Sequence, residues 1–204
     1  MLLAIDTSLG TSVAVVDRDR GILIEVAESD EVDHAAVIGP LIAQALTLSE
    51  TDPVTLSGVA VGIGPGSSGN IDIGIAAAHR FATALRKPVV RVITHDAVML
   101  NQQDPAVVVT DAGNGLTAWT AYGAPDPELG LPNRLSEPTF TPSGEAVDPS
   151  GGFDGRHIIT REISAGAVGM LAERLFAAGR PFARKEPYSS TLIPAESIPL
   201  HGRR

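Results

Sequence analysis

The chain has no cysteine among its 204 residues, so a disulfide framework, a thiolate metal site and a thiol nucleophile are all excluded. Aromatic residues make up only 4%, which leaves little material for stacking platforms that bind single-stranded nucleic acid. Basic charge is also scarce. Against 24 Asp and Glu there are 15 Lys and Arg, giving a net charge of −9 and no basic run longer than a pair such as the terminal Arg203-Arg204. Such a field repels a phosphate backbone, so contact with RNA is expected only through a partner that supplies positive surface. No apolar stretch reaches the roughly 18 uninterrupted residues of a membrane-spanning helix, and the first residues read as a strand without a basic leader. The expectation is a cytoplasmic protein with no membrane partner.

What is present is 44% hydrophobic residues with 21 Gly and 15 Pro, the makeup of a folded chain with many tight turns. Leu2-Leu3-Ala4-Ile5 ends in Asp6-Thr7-Ser8, and Ser12 to Val16 follows after Gly10; with Ile22 to Val26 these predict a three-strand meander. From Asp33 the period changes. Val37, Leu41, Ala45 and Leu48 recur at helical spacing through Pro40, and Val59-Ala60-Val61 then reads as a buried strand. A second helix is predicted from about Asn70 to Leu85, followed by a strand at Val89 to Val92.

The second half opens in the same way. Ala106 to Thr110 runs into Asp111, and Gly115 stands four residues later, as Gly10 does after Asp6. The matched turns suggest a duplicated α/β lobe, although Asp and Gly after a strand are also ordinary turn chemistry. Residues 124–155 are rich in Pro, Gly, Asp and Ser and should hold one or two short strands. Ile163 to Ala178 spells an amphipathic helix, and a tail with Pro187, Pro194 and Pro199 follows. The expected lobes are residues 1–100 and 101–204.

Two segments carry candidate chemistry. Asp6, Thr7 and Ser8 could form a phosphate-and-magnesium turn or simply a capped hairpin. Gly64, Gly66 and Ser67, in the run Gly64-Pro65-Gly66-Ser67-Ser68-Gly69 before a helix, could cradle an anion on free N–H groups or serve as a structural turn. The run has no Lys, and Asp72, expected in the first helical turn, would oppose a phosphate. It also lacks the G-x-S-x-G spacing of a nucleophile elbow. The histidines at 34, 79, 95, 157 and 201 include no i, i+3 or i, i+4 pair, so no metal site is expected. His34 reads as a solvated neighbour of a helix cap, and Trp119 as core.

Ala4-Ile5-Asp6-Thr7-Ser8, Asp33-His34, Ala60-Val61-Gly62-x-Gly64-Pro65-Gly66-Ser67 and Ile73-Gly74-Ile75 together resemble the TsaB (YeaZ) family of the actin-like ATPase superfamily. Asp111-Ala112, Gly115, Trp119 and Ala121-Tyr122 continue the resemblance. It implies an actin-like, ribonuclease H-like fold of duplicated lobes with mixed sheets flanked by helices. It also implies a non-catalytic subunit for threonylcarbamoyl modification of adenosine beside the tRNA anticodon, with a TsaD-like catalytic subunit, a TsaE-like ATPase, and tRNA met only through the complex. The isolated chain could also form a homodimer, and the resemblance leaves homodimer and heterodimer both open. No tightly held cofactor follows, and ATP or ADP with magnesium would sit only at a partner interface. The family continues Gly-Pro-Gly-Ser with an aromatic and a basic residue; here Ser68 to Asp72 replace them, and Gly113 stands where an Arg is expected. An ATPase or phosphotransferase of the same superfamily is the alternative. Because the second helix carries two apolar faces, the expected partner surface is Val37, Leu41 and Ala45 with Gly74, Ala77, Ala78, Phe81 and Leu85.

Overall fold

The computed structural model describes residues 1–29, 33–145, 147, 153, 155–180 and 187–188. Arg203, Arg204, His201, Pro194 and Pro199 lie outside the described residues. Strands β1 (Leu2–Asp6), β2 (Thr11–Asp17) and β3 (Gly21–Glu28) form the expected antiparallel meander. Helix α1 (His34–Leu48) leads to β4 (Gly58–Gly62), which pairs in parallel with β1. Helix α2 (Ser68–Leu85) then leads to β5 (Val89–Val92), parallel to β4. The order of the first sheet is β3-β2-β1-β4-β5.

A short helix α3 (Thr94–Val98) precedes the second sheet. That sheet contains β6 (Ala106–Gly113), β7 (Leu116–Gly123), β8 (Asn133–Arg134), β9 (Thr139–Pro142) and β10 (Arg156–Ile159). Its order is β10-β6-β7-β8, with β9 also on β7. Here β6 and β7 are antiparallel, and β10 is parallel to β6. The pattern repeats that of β4, β1 and β2 and bears out the duplicated mixed-sheet architecture. The turns repeat too: Asp6 Oδ1 accepts from Ser8 N at 2.8 Å, and Asp111 Oδ1 accepts from Gly113 N at 2.7 Å.

Every residue of β1 and β4 is buried, because both faces of the first sheet are covered. Side chains alternate between faces: Leu3, Ile5, Val13 and Val15 meet α1 and α2, while Leu2, Ala4, Ala14 and Val16 meet helix α4 (Ala165–Ala177). Thus α4 follows the second sheet in sequence yet lies across the first. Small residues permit the close seat. A Cβ added at Gly169 would stand 2.7 Å from Val16 Cγ2 and 2.9 Å from the Ala4 Cβ.

The start of α4 is tied to the meander. Glu25 Oε2 accepts from Ser164 Oγ at 2.8 Å, Glu25 Oε1 accepts from Ser12 Oγ at 2.8 Å, and Ser12 Oγ in turn accepts from Ala165 N at 3.1 Å. These contacts satisfy donors that a helix N-terminus leaves free.

Candidate functional site

Asp6 ends β1 with its carboxyl buried beneath the loop after β4. Besides the Ser8 N–H, it receives the Thr94 hydroxyl, which donates to Asp6 Oδ2 at 2.8 Å. Thr94 Oγ1 also accepts from Gly64 N at 3.2 Å and lies 3.1 Å from Ser8 Oγ. One hydroxyl at the head of α3 therefore joins the strand-end acid, the first turn and the glycine loop. Burial pushes the Asp6 carboxyl above the usual range, and the bonds from Ser8 and Thr94 offset part of that.

The remaining predicted loop residues are drawn to the same place. Thr7 Oγ1 donates to the Asn70 carbonyl at 2.7 Å, fixing β1 to the first turn of α2. Gly74 faces Thr7 so closely that an added Cβ would collide with Thr7 Oγ1, and a Cβ at Gly66 would lie 3.1 Å from the Ser8 carbonyl oxygen. Gly64 adopts φ +88°, and a Cβ there would strike the Tyr188 carbonyl oxygen. Ser67 is the N-cap residue of α2, half-buried and without a side-chain cap bond. From the other half, a Cβ on Gly113 would come within 3.6 Å of the Ser67 Cβ. Asp6, Thr7, Ser8, Gly64, Gly66 and Ser67 are thus one contiguous cluster, in which the acid and the Thr7 hydroxyl are engaged by groups of the same chain.

Helix α2 begins at Ser68 rather than near Asn70, so Asp72 lies beyond its first turn, a correction that removes it from the place where it would oppose an anion. His34 is corrected as well. It is buried at the start of α1, with Nδ1 2.7 Å from Thr11 Oγ1, while Asp33 caps the helix by accepting from Ala35 N and Ala36 N. Trp119 is half-buried and packs beside Val107, Val109 and Ala121.

Of the expected partner surface, Leu41, Ala45 and Ala78 are inside the core between the helices and the first sheet, and Gly74 is closed against Thr7. Their side of each helix is needed to cover its own sheet. Val37, Ala77, Phe81 and Leu85 remain half-buried, and they are the part of the helix pair that reaches the surface.

Two buried arrangements were not read from the sequence. His95 on α3 has Nδ1 2.8 Å from Thr120 Oγ1 and Nε2 2.9 Å from Thr110 Oγ1, and burial lowers its pKa from 6.5 to about 3. A neutral ring donates through one nitrogen and accepts at the other, so it bridges both threonines of the β6–β7 pair. Beside it, Asp96 Oδ1 accepts from Tyr122 OH at 2.7 Å. Burial raises both the Asp96 and the Tyr122 pKa, and Arg134 opposes the rise. The only sequence signal was a polar run, Thr94-His95-Asp96, directly after an apolar strand. Among the described residues, no group of three or more His, Cys, Asp or Glu could hold a metal ion.

Comparison with known proteins bears on this fold and site. The chain spans half or less of the lengths of the first curated relatives it matches, between 31% and 50%. One is a tRNA N6-adenosine threonylcarbamoyltransferase of an Anaeromyxobacter species, 29% identical over 171 residues, covering 72% of this chain and 50% of that protein. Among solved structures, YeaZ from Pseudomonas aeruginosa superposes with a TM-score of 0.73 at 20% identity, covering 87% of this chain and 92% of that one. A second structure, an uncharacterised protein with similarity to peptidase YeaZ from Pseudomonas aeruginosa, gives 0.76 at 20% identity over 91% and 97%. At that identity the likeness establishes the fold. The family model of TsaD, tRNA N6-adenosine threonylcarbamoyltransferase, matches residues 10–124. Since that match takes in more than half of the residues, from just before β2 to just past β7, the chain belongs to the TsaD family and carries the fold of YeaZ.

Proposed function

We propose that this chain is a non-catalytic, partner-binding subunit in the threonylcarbamoyl modification of adenosine beside the tRNA anticodon. It works with a TsaD-like catalytic subunit and a TsaE-like ATPase in the cytoplasm, and forms a homodimer when isolated. Membership of the TsaD family and the sequence resemblance to TsaB support the process.

The Asp6 carboxylate carries the choice of role. Both of its oxygens receive donors from Ser8 and Thr94, and the Thr7 hydroxyl is engaged by Asn70. Groups that would otherwise meet magnesium or phosphate serve instead to lock β1, α2 and α3 together. ATP or ADP with magnesium would then be held only where a partner adds groups to the Gly64–Ser67 loop. The acidic chain leaves tRNA contact to the complex. The partner would dock on α1 and α2 through Val37, Ala77, Phe81 and Leu85.

Co-expression with the TsaD-like subunit of the same organism tests this. The expected result is co-purification as a defined complex, with modification of tRNA requiring both chains. Failure to associate would sink the scaffold role. ATP turnover by the isolated chain would favour the phosphotransferase or ATPase alternative.

A further inference from the structure

The negative charge of the chain is unevenly spread. Residues 73–95 contain Arg80, Arg86, Lys87 and Arg91 and no Asp or Glu, so they contribute +4 to the net charge of −9 and all other residues together −13. The fold gathers these four cations at one edge of the first sheet, where β5 is the outermost strand and α2 packs over β4 and β5. Arg91 stands in register with Val61, whose side chain packs with Ala78 and Ala82 of α2, and Arg91 Nη2 lies 3.1 Å from His79 Nε2. Arg86 is the C-cap residue of α2, and Lys87 follows it. The helix dipole favours cations at those two positions. It does not account for Arg80 in the middle of α2, for Arg91 on the strand, or for the lack of acids.

Two observations narrow the partner. Arg20, Arg134 and Arg180 each stand within 4.0 Å of a carboxylate, whereas Arg80, Arg86 and Lys87 have no ion-pair partner among the described residues. Arg80 and Arg86 are exposed and Lys87 is half-buried, so an external anion can reach them. Asp72, the one acid of α2, stands eight residues before Arg80, about 12 Å along the axis. The second observation is the lack of an apolar anchor. No residue of α2 or β5 is among the well-exposed large hydrophobics of the described residues, and half-buried Phe81 projects about 200° around the helix from His79. A protein partner relies on such an anchor. A phosphate backbone needs only reachable cations, and the guanidinium fork matches its oxygens. We propose that the α2–β5 edge is the RNA-facing surface of this chain, with Arg80, Arg86 and Lys87 on phosphate oxygens. It rests on the reading of the chain as a subunit of a tRNA-modifying complex, whose other members supply further positive surface.

Binding of unmodified tRNA to the complex of the full chain with the TsaD-like subunit, titrated from about 50 to about 300 mM salt, tests the proposal. The triple variant Arg80→Gln, Arg86→Gln, Lys87→Gln should co-purify with that subunit as wild type does. It should bind tRNA at least about tenfold more weakly at about 100 mM salt and lower the slope of log affinity against log salt by about 2. Arg18→Gln with Arg161→Gln, which removes two cations from elsewhere, should change the affinity by less than about twofold. Should the triple variant lose its circular dichroism spectrum, Arg80→Gln and Arg86→Gln measured singly decide, at about 0.7 of slope each. Unchanged affinity and slope in the folded variants overturn the proposal. Loss of co-purification also overturns it, by making the edge a contact for an acidic protein surface. If wild type does not associate with the TsaD-like subunit, the subunit reading fails and the same titration on the full chain alone decides. RNA binding at about 50 mM salt that the triple variant loses then upholds the edge, and no binding, or binding that the variant keeps, overturns it.

Discussion

The Thr94 hydroxyl donates to Asp6 Oδ2 at 2.8 Å across 88 positions of sequence, so the first residue of α3 closes the carboxylate at the end of β1. Because the same oxygen accepts from Gly64 N, Thr94→Val removes both partners at once and leaves a buried acid and an amide short of bonds. The expected loss is about 1–3 kcal/mol. It should also depend on pH. Asp6 holds its proton more tightly folded than unfolded, so its contribution is fully present below the unfolded value of 3.8 and is lost as pH rises through the folded value. Without Thr94 the folded value climbs further. Urea titrations should therefore show the deficit of Thr94→Val growing from acid to neutral pH, and a deficit that shrinks would contradict the assignment.

His95 slopes the other way. Its pKa falls from 6.5 to about 3 on burial, so the unfolded chain takes up a proton that the folded chain refuses. Stability from this residue is complete above about pH 6.5 and declines as pH falls toward 3, by up to about 1.4 kcal/mol for each unit. His95→Gln retains a donor and an acceptor for Thr110 and Thr120 but does not titrate. The difference between wild type and His95→Gln should accordingly carry an acid slope, seen as a midpoint shift in urea between about pH 4 and pH 6. Parallel curves would mean that His95 is not neutral in the folded state.

Much of this architecture was legible. The short apolar runs Leu2–Ile5 and Ser12–Val16, and the Asp-x-x-x-Gly repeat at Asp6 and Asp111, foretold both hairpins because turn chemistry is local. The spacing of Val37, Leu41 and Ala45 foretold α1, and the helix expected from about Asn70 to Leu85 corresponds to α2 apart from its earlier start at Ser68. Helix α3 was not foretold, since five residues are too few to display a period. Its importance is likewise invisible locally: Thr94 and His95 acquire their partners from β1, β6 and β7. Composition does not tell which apolar face of α1 or of α2 its own sheet needs, which is why Leu41, Ala45 and Ala78, expected at a partner surface, are buried by the fold.

That distinction separates two substitutions on the helix pair. Leu41 is 5% exposed, and Leu41→Ala should cost the isolated chain about 2–5 kcal/mol through cavity formation. Phe81 is half-buried at the edge of the same cluster. Phe81→Asp should cost less in folding but place an unpaired carboxylate in the proposed partner interface, weakening association with a TsaD-like subunit by tenfold or more, about 1.4 kcal/mol or above. Thermal melts and a binding titration on each variant separate the effects. Equal affinity of Phe81→Asp and wild type would place the partner elsewhere.

The seat of α4 gives the last prediction, since it reverses an ordinary expectation for glycine. Within a helix, Gly→Ala usually stabilises by about 0.5–1 kcal/mol because the unfolded chain loses freedom. At Gly69, near the start of α2, an added Cβ meets nothing within 4 Å, so Gly69→Ala should gain part of that amount. At Gly169 the same methyl would stand 2.7 Å and 3.0 Å from the two Val16 methyls and 2.9 Å from the Ala4 Cβ. None of these atoms is the far end of a flexible side chain. Both belong to strands held in the middle of a sheet covered on both faces, so helix α4 must move instead. Overpacking of this kind costs about 1–3 kcal/mol, which outweighs the propensity gain. Moving α4 also pulls Ser164 and Ala165 from Glu25 and Ser12, and adds the loss of the N-terminal cap. Gly169→Ala should therefore lower the urea midpoint while Gly69→Ala raises it. The destabilisation should persist in a Glu25→Gln background but be smaller, because that variant has already weakened the cap; strict additivity of the two changes would show that the helix does not shift along its seat.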